Sequence, residues 1–157
     1  MAEVEDVVLR LLAATLVGMA IGLNRDLKGK PTGMRTLSLV SLGAAVVCVS
    51  VVHLPGIQDN SDALSRVVQG IIQGVLTGVG FIGAGVVLRR PDRLAVHNLT
   101  TAATVWICAA LGIACGLAAW NIVLVGLAIT FALLIFGGPF ERAVERWLGV
   151  AGDDGNG

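Results

Sequence analysis

The hydrophobic positions of this chain fall in long unbroken runs rather than in strand-like alternation. Five windows, 7–23, 37–54, 67–88, 99–118 and 120–137, are apolar through nearly all of their length. Each approaches the ~20 residues that a helix needs to cross the ~30 Å hydrocarbon core of a bilayer. A segment in that core has no water to bond to, so its backbone N–H and C=O groups must pair internally, as a helix does. The pattern predicts an all-α polytopic protein with about five transmembrane helices. The last two windows are joined by almost nothing, which predicts a tight helical hairpin around Trp120 and Asn121.

Within the windows, small residues recur every four positions and so share one helix face. The rows are Ala14, Gly18 and Gly22 in the first span, Gly70, Gly74 and Gly78 in the third, and Thr100, Thr104, Cys108, Gly112 and Gly116 in the fourth. Helices in lipid associate by close approach at such residues. Beside the third-span glycines runs a polar row, Arg66, Gln69, Gln73 and Thr77. Polar groups facing hydrocarbon are costly, so this face is expected to turn into the bundle or toward another subunit. Two readings stand: helix packing, or a narrow polar path lined by Gln69, Gln73 and Thr77.

Beyond the fifth window, Phe140, Val144, Trp147 and Leu148 share a face, and Pro139 suits a first helical position. A short interfacial helix is expected there. The expected division is a membrane part over 1–138, and an interfacial helix with a disordered tail over 139–157, with no soluble domain following.

Composition agrees with a lipid environment. Hydrophobic residues make up 55% and charged residues 14%, against about 25% charged in soluble domains. Mean hydropathy is +0.85. Almost nothing here can be a soluble catalytic domain. The start, MAEVEDVV, lacks the positive region of a secretory signal, so the first span is expected to stay in the membrane. Cys48, Cys108 and Cys115 all lie in apolar runs and read as core residues rather than a disulfide framework.

Net charge is zero, yet the charges sort by side. Nine of the eleven basic residues lie on alternate connections: Arg25, Lys28, Lys30 and Arg35; Arg89, Arg90 and Arg93; Arg142 and Arg146. Glu3, Glu5, Asp6, Asp59 and Asp62 lie on the other side. The positive-inside rule then places the N-terminus outside and the C-terminus in the cytoplasm. Arg10 and Arg66 sit at outer helix ends, and Arg10 has Asp6 one turn back. No basic tract interleaved with aromatics supports nucleic-acid binding.

Candidate chemistry is sparse. No Asp, Glu, Lys or Arg lies near the middle of a span, where proton relays and coupled pumps place ionisable groups. Magnesium prefers carboxylate and water oxygens, so a dedicated midplane site is not expected. His53 and His97 belong to no ligand-spaced set, and Ser38 and Ser41 read as ordinary intrahelical hydroxyls. No enzyme activity, catalytic residue or cofactor is expected, and no metal ligand set is assigned. The run Gly78-Val-Gly80-Phe-Ile-Gly83-Ala-Gly85 matches the dinucleotide fingerprint by letter. It lacks the strand–turn–helix setting that the fingerprint needs. Its glycines suggest close helix contact or a locally broken helix.

The remaining polar residues gather at the cytoplasmic mouth: Asn24, Arg25 and Asp26, then Arg35 and Thr36, then Asn98, Thr100 and Thr101. Arg25, Asp26 and Arg35 have the charges for a network. One reading is that these loops only anchor orientation. The other is a functional surface, either a partner-docking site or an ion vestibule.

Two ordered blocks carry a family resemblance. The first runs Arg10-Leu-Leu-Ala-Ala, Gly18-Met-Ala-Ile-Gly-Leu-Asn-Arg25-Asp and Gly33-Met-Arg-Thr36-Leu. The second holds Gly74, the run Gly78 to Gly85, Asn98-Leu-Thr-Thr-Ala-Ala-Thr-Val-Trp106, then Ala109-Ala-Leu-Gly112 and Gly116. Over roughly 9–116 the chain resembles the MgtC/SapB family. The resemblance implies a multi-pass protein of the bacterial inner membrane with five spans. It also implies a tie to growth when magnesium is scarce and, in pathogens, to virulence inside host phagocytes. It implies regulation of other membrane proteins, ATP synthase among them. Three departures stand out: Asn24 where the family usually has Glu, Asn98 where it usually has Gly, and no soluble C-terminal domain.

The expectation is therefore a non-enzymatic membrane regulator in magnesium or ion homeostasis, acting through helix–helix contacts. Its expected partners are the lipid bilayer, further copies of itself and other membrane proteins. The alternative is a small oligomeric permease for magnesium or another ion. No cofactor is expected, with Mg2+ as the physiological ion.

Overall fold

The computed structural model describes residues 2–53, 61–87 and 98–148. They form five α-helices and, among the described residues, no strand: α1 (Ala2–Leu27), α2 (Met34–Val52), α3 (Ser61–Val87), α4 (Leu99–Gly116) and α5 (Trp120–Trp147). All five are long and apolar enough to cross a membrane. Asp59, Arg89, Arg90, Arg93, His97 and the expected disordered tail lie outside the described residues.

The helices overrun the apolar windows because their polar ends still pair their backbone internally. The clearest difference is at Pro139. The expected separate interfacial helix is instead the last part of α5, with Pro139 inside it. Proline clashes with the Cβ of the residue before it. Here that residue is Gly138, which has none, and the helix runs on.

Two helix ends are closed by the same device, a residue in left-handed conformation just past the cap. After α1, Gly29 has φ 60°. Its N–H donates to Asp26 O at 3.0 Å, and Lys30 N–H donates to Arg25 O at 3.0 Å. After α4, Ala118 has φ 55°. Its N–H donates to Cys115 O at 3.0 Å, and Ala119 N–H donates to Ala114 O at 2.9 Å. This turn makes the hairpin between α4 and α5.

The core is a three-helix unit of α1, α2 and α4, with α3 and α5 laid on its flanks. Of the apolar stretch of α4, 61% is buried, against 6% for α3 and 11% for α5. Ala14, Val17 and Ile21 of α1 meet Leu37 and Ala45 of α2 and Val105, Cys108 and Cys115 of α4. Two seams are too tight for any side chain. A Cβ on Gly18 would stand 2.5 Å from Leu37 O, and one on Gly112 would stand 2.3 Å from Ser41 O. Gly22 and Gly116 continue these seams against Met34 and Ala45. Lipid gives apolar side chains no reason to leave it, so this backbone-to-backbone packing is what holds the helices together. Cys108 adds a thiol donating to Leu37 O at 3.2 Å. Ser38 bonds its own helix at Met34 O, 2.7 Å away, while Ser41 is fully buried beneath Gly112.

Helix α3 differs. Ile71, Ile72, Val75, Leu76 and Val79 pack against the cluster of Ala44, Cys48, Ala109 and Ile113. The opposite face points away from the bundle.

Candidate functional site

The polar end of the bundle is organised around the last turn of α1. Arg25 is only 4% exposed. Its Nε and Nη2 donate to Pro31 O at 3.3 and 3.2 Å, and Nη2 also donates to the Thr101 hydroxyl. One guanidinium thus ties α1, the α1–α2 connection and the first turn of α4 together. A cation in the last turn of a helix is also favoured by the helix dipole.

Asp26 does a different job. Its Oδ2 accepts the Met34 N–H at 2.8 Å, so the side chain caps α2 from across the connection. The residue at the cap position, Gly33, supplies no side-chain cap. A Cβ there would fall 1.8 Å from Asp26 Oδ1, so a larger residue would push the Asp26 carboxylate out of its capping position.

The expected network of Arg25, Asp26 and Arg35 does not form. Consecutive residues on a helix do not face each other, so Arg25 turns inward while Asp26 turns to the start of α2. Arg35 and Thr36 are exposed on the first turn of α2. Among the described residues the ion pairs lie at the other end of α1. There Arg10 Nε is 2.7 Å from Asp6 Oδ2, and His53 Nε2 is 3.8 Å from the same oxygen. Arg10 also donates from Nη1 to Gly116 O at 2.9 Å, closing the end of α4.

At the start of α4, Asn98 has φ 73°. Asparagine tolerates this left-handed region far better than most side-chain-bearing residues. Its carbonyl accepts Thr101 and Ala102 N–H, each at 3.0 Å. Thr100 is exposed and Thr101 buried. Thr104 is buried and donates to Thr100 O at 2.6 Å.

These elements enclose one wall of a cleft of about 820 Å3 whose other wall is α5. Asn24, Arg25, Lys28, Lys30 and Thr100 line one side, and α5 residues from Leu133 to Arg142 line the other. Lys28 Nζ donates to Leu134 O at 2.5 Å, bridging the walls. Four cations, Arg25, Lys28, Lys30 and Arg142, face one carboxylate, Glu141. The sequence reading treated Lys28, Lys30 and Arg142 as orientation charges and did not join them. The available signal was that the first basic connection and the basic end of the last helix lie on one side.

The other candidates fall elsewhere. Gly70, Gln73, Gly74, Thr77, Gly78, Gly80 and Gly85 all lie on the exposed side of α3, along with Gln69. The path-lining face is thus on the outside of the single chain, not within its bundle. The helix is unbroken through Gly78–Gly85, and of that run Gly83 meets α4, with a Cβ position 3.4 Å from Ala102 Cβ. Gly74 and Gly78 help to floor an apolar groove of about 510 Å3 between α3 and α2. Trp106 is 45% exposed, whereas Cys108 and Gly112 are buried in the α2–α4 seam. Among the described residues no three His, Cys, Asp or Glu side chains gather closely enough to hold a metal ion.

Comparison with known proteins bears on the whole membrane region. The model of the MgtC family matches residues 11–143. Protein SrpB of Synechococcus elongatus is 44% identical over 146 residues, covering 88% of this chain and 78% of that protein. Protein SapB of Bacillus subtilis is 38% identical over 116 residues, covering 71% of this chain and 47% of its own length. Protein MgtC of Salmonella typhimurium is 37% identical over 139 residues, covering 88% and 54%. The chain thus spans about half the length of the latter two. No solved structure gives a significant match.

Proposed function

The chain belongs to the MgtC family, and on that premise we propose that it is a non-enzymatic regulator in magnesium or ion homeostasis. It sits in a bacterial inner membrane with its N-terminus outside and its C-terminus in the cytoplasm. It acts by docking α3 against a helix of another membrane protein or of a second copy. The observation that carries this reading is the open face of α3. Among the described residues, five glycines, Gly70, Gly74, Gly78, Gly80 and Gly85, have no atom beyond their own helix backbone within 4 Å of where a Cβ would stand. Gln69 and Gln73 lie exposed beside them. A face that admits close approach and carries amides is suited to another helix and poorly suited to lipid.

The test follows from that geometry. Leucine at Gly74 and Gly78 fills open space, so it leaves the chain's own packing intact while blocking close approach. In a bacterial strain whose growth at low magnesium depends on this protein, Gly74→Leu/Gly78→Leu is expected to reach the membrane in normal amount and fail to restore growth. Full restoration of growth would refute the reading. The permease alternative needs several copies to bring Gln69, Gln73 and Thr77 around a shared axis. Magnesium flux into sealed proteoliposomes that Gln73→Leu abolishes would establish that alternative in place of regulation by contact.

A further inference from the structure

The cleft at the polar end has an imbalance that the fold does not resolve. Arg25, Lys28, Lys30 and Arg142 converge on it, and among the described residues none has a carboxylate within ion-pair distance. Arg25 and Lys28 spend part of their donor capacity on Pro31 O, Thr101 and Leu134 O. Lys30 and Arg142 make no side-chain hydrogen bond or ion pair with a described residue. Like charges gathered at a water–lipid boundary repel unless an anion sits among them.

The opposite wall says which anion. It is α5, whose apolar residues Leu133 and Ile135 are among those that line the same cleft. The cations lie where spanning helices end, and the apolar residues run from there toward the membrane interior. A ligand matched to this lining is negative at one end and hydrocarbon at the other. The volume, about 820 Å3, falls in the ~300–1,000 Å3 range of small-molecule sites. Basic pockets between spanning helices at the positive side of a membrane recognise phosphate-bearing headgroups. The first turn of α4, with Thr100 on the cleft, adds the partial positive charge of a helix N-terminus.

We propose that this cleft seats the phosphodiester headgroup of an anionic phospholipid, with Lys30 and Arg142 on the phosphate and the upper acyl chain along Leu133 and Ile135 of α5. Lys28 fixes the spacing of the walls through Leu134 O, and Arg25 holds the first wall in shape. The bound lipid then joins α5, which packs weakly on the core, to the α1–α2 connection. This goes beyond the regulatory reading and does not depend on it, since the α3 face lies elsewhere on the surface.

The experiment uses the full chain, purified in mild detergent and presented with mixed micelles of phosphatidylglycerol and phosphatidylcholine. Retained lipid is counted by native mass spectrometry. The parent protein is expected to retain phosphatidylglycerol in preference. Each cation near a membrane surface is worth about 1 kcal/mol toward anionic lipid, so Lys30→Gln/Arg142→Gln should weaken the preference about twenty-five-fold. Arg35→Gln removes a charge outside the cleft lining and should leave it unchanged. A thermal melt confirms that each variant is folded. Equal retention of the two lipids by the parent would overturn the proposal. So would an undiminished preference in the double variant, or a loss with Arg35→Gln as large as one cleft charge. Inorganic phosphate at millimolar concentration distinguishes a soluble ligand: if it displaces the lipid, the cleft is a phosphate site and the lipid assignment falls.

Discussion

Replacing Gly112 by alanine adds one methyl group at the closest backbone-to-backbone approach among the described helices. That methyl would stand 2.3 Å from Ser41 O, and 2.9 Å from both Ser41 C and Ser41 Cα. Carbon–oxygen contacts settle near ~3.4 Å, so α4 and α2 must part by about 1 Å. All three obstructing atoms are backbone, which leaves no rotamer to turn aside. Overpacking a close-fitted interior costs ~1–3 kcal/mol, and a clash with backbone belongs at the upper end, about 3 kcal/mol. The seam also carries the contacts of Leu37, Ala45, Cys108 and Cys115, which loosen together. For a domain of this length ~1 kcal/mol moves the melting temperature by roughly 2–4 °C. The expected loss is therefore about 6–12 °C, read by tryptophan fluorescence during heating in detergent. Two controls grade the argument. Gly116→Ala should cost less, because its contacts are looser, 2.7 Å to Cys48 Cβ and 2.9 Å to Ala45 O. Gly74→Ala meets nothing within 4 Å and should gain slightly, since alanine is better than glycine in a helix by ~1 kcal/mol. The reasoning is refuted if Gly112→Ala melts within about 1 °C of the parent, or if Gly74→Ala falls as far.

Three further outcomes are expected. Ala118→Gly should stabilise the protein by about 1 kcal/mol by removing the cost of a left-handed alanine after α4, seen as a higher melting temperature; an unchanged or lower value would count against the assigned turn. Asp26→Ala should cost about 1 kcal/mol by uncapping α2, while Asp26→Asn keeps most of it; equal melting of the two variants would show that the cap is not what matters. Arg25→Met should cost about 1–2 kcal/mol through lost charged hydrogen bonds and speed tryptic cleavage after Lys28. The partner variant Thr101→Val should be non-additive with it, and strict additivity would rule out the contact.

The division between what could and could not be read in advance follows the kind of interaction involved. Ala14, Gly18 and Gly22, and equally Gly112 and Gly116, stood out because a four-residue step is a property of one helix. The same step at Gly70, Gly74 and Gly78 looked identical, yet the first two rows close seams inside the chain and the third faces out. Periodicity gives a face and not its partner. Arg25, Asp26 and Arg35 have the charges for a network, yet Arg25 and Asp26 do not join in one. Their true partners, Thr101 and Met34, lie 76 and eight residues away and depend on how helices meet. Asn98, where the resemblance leads one to expect glycine, has a left-handed backbone that suits either residue. That equivalence becomes visible only once φ is known.

The sequence by itself determined the environment and the elements. The length and uniformity of the apolar runs demand five helices in lipid, because backbone polar groups in hydrocarbon have no other way to be paired. The family was also legible, in blocks whose order and spacing survive without a structure. Only the tertiary structure decided which helices form the core and which remain on the flank. It also decided that Pro139 lies within a helix, and that Lys28, Lys30 and Arg142 share a cleft with α5. These are outcomes of pairwise fit between helix surfaces. In lipid that fit rests on the distance at which two backbones can meet, and no single helix carries that information.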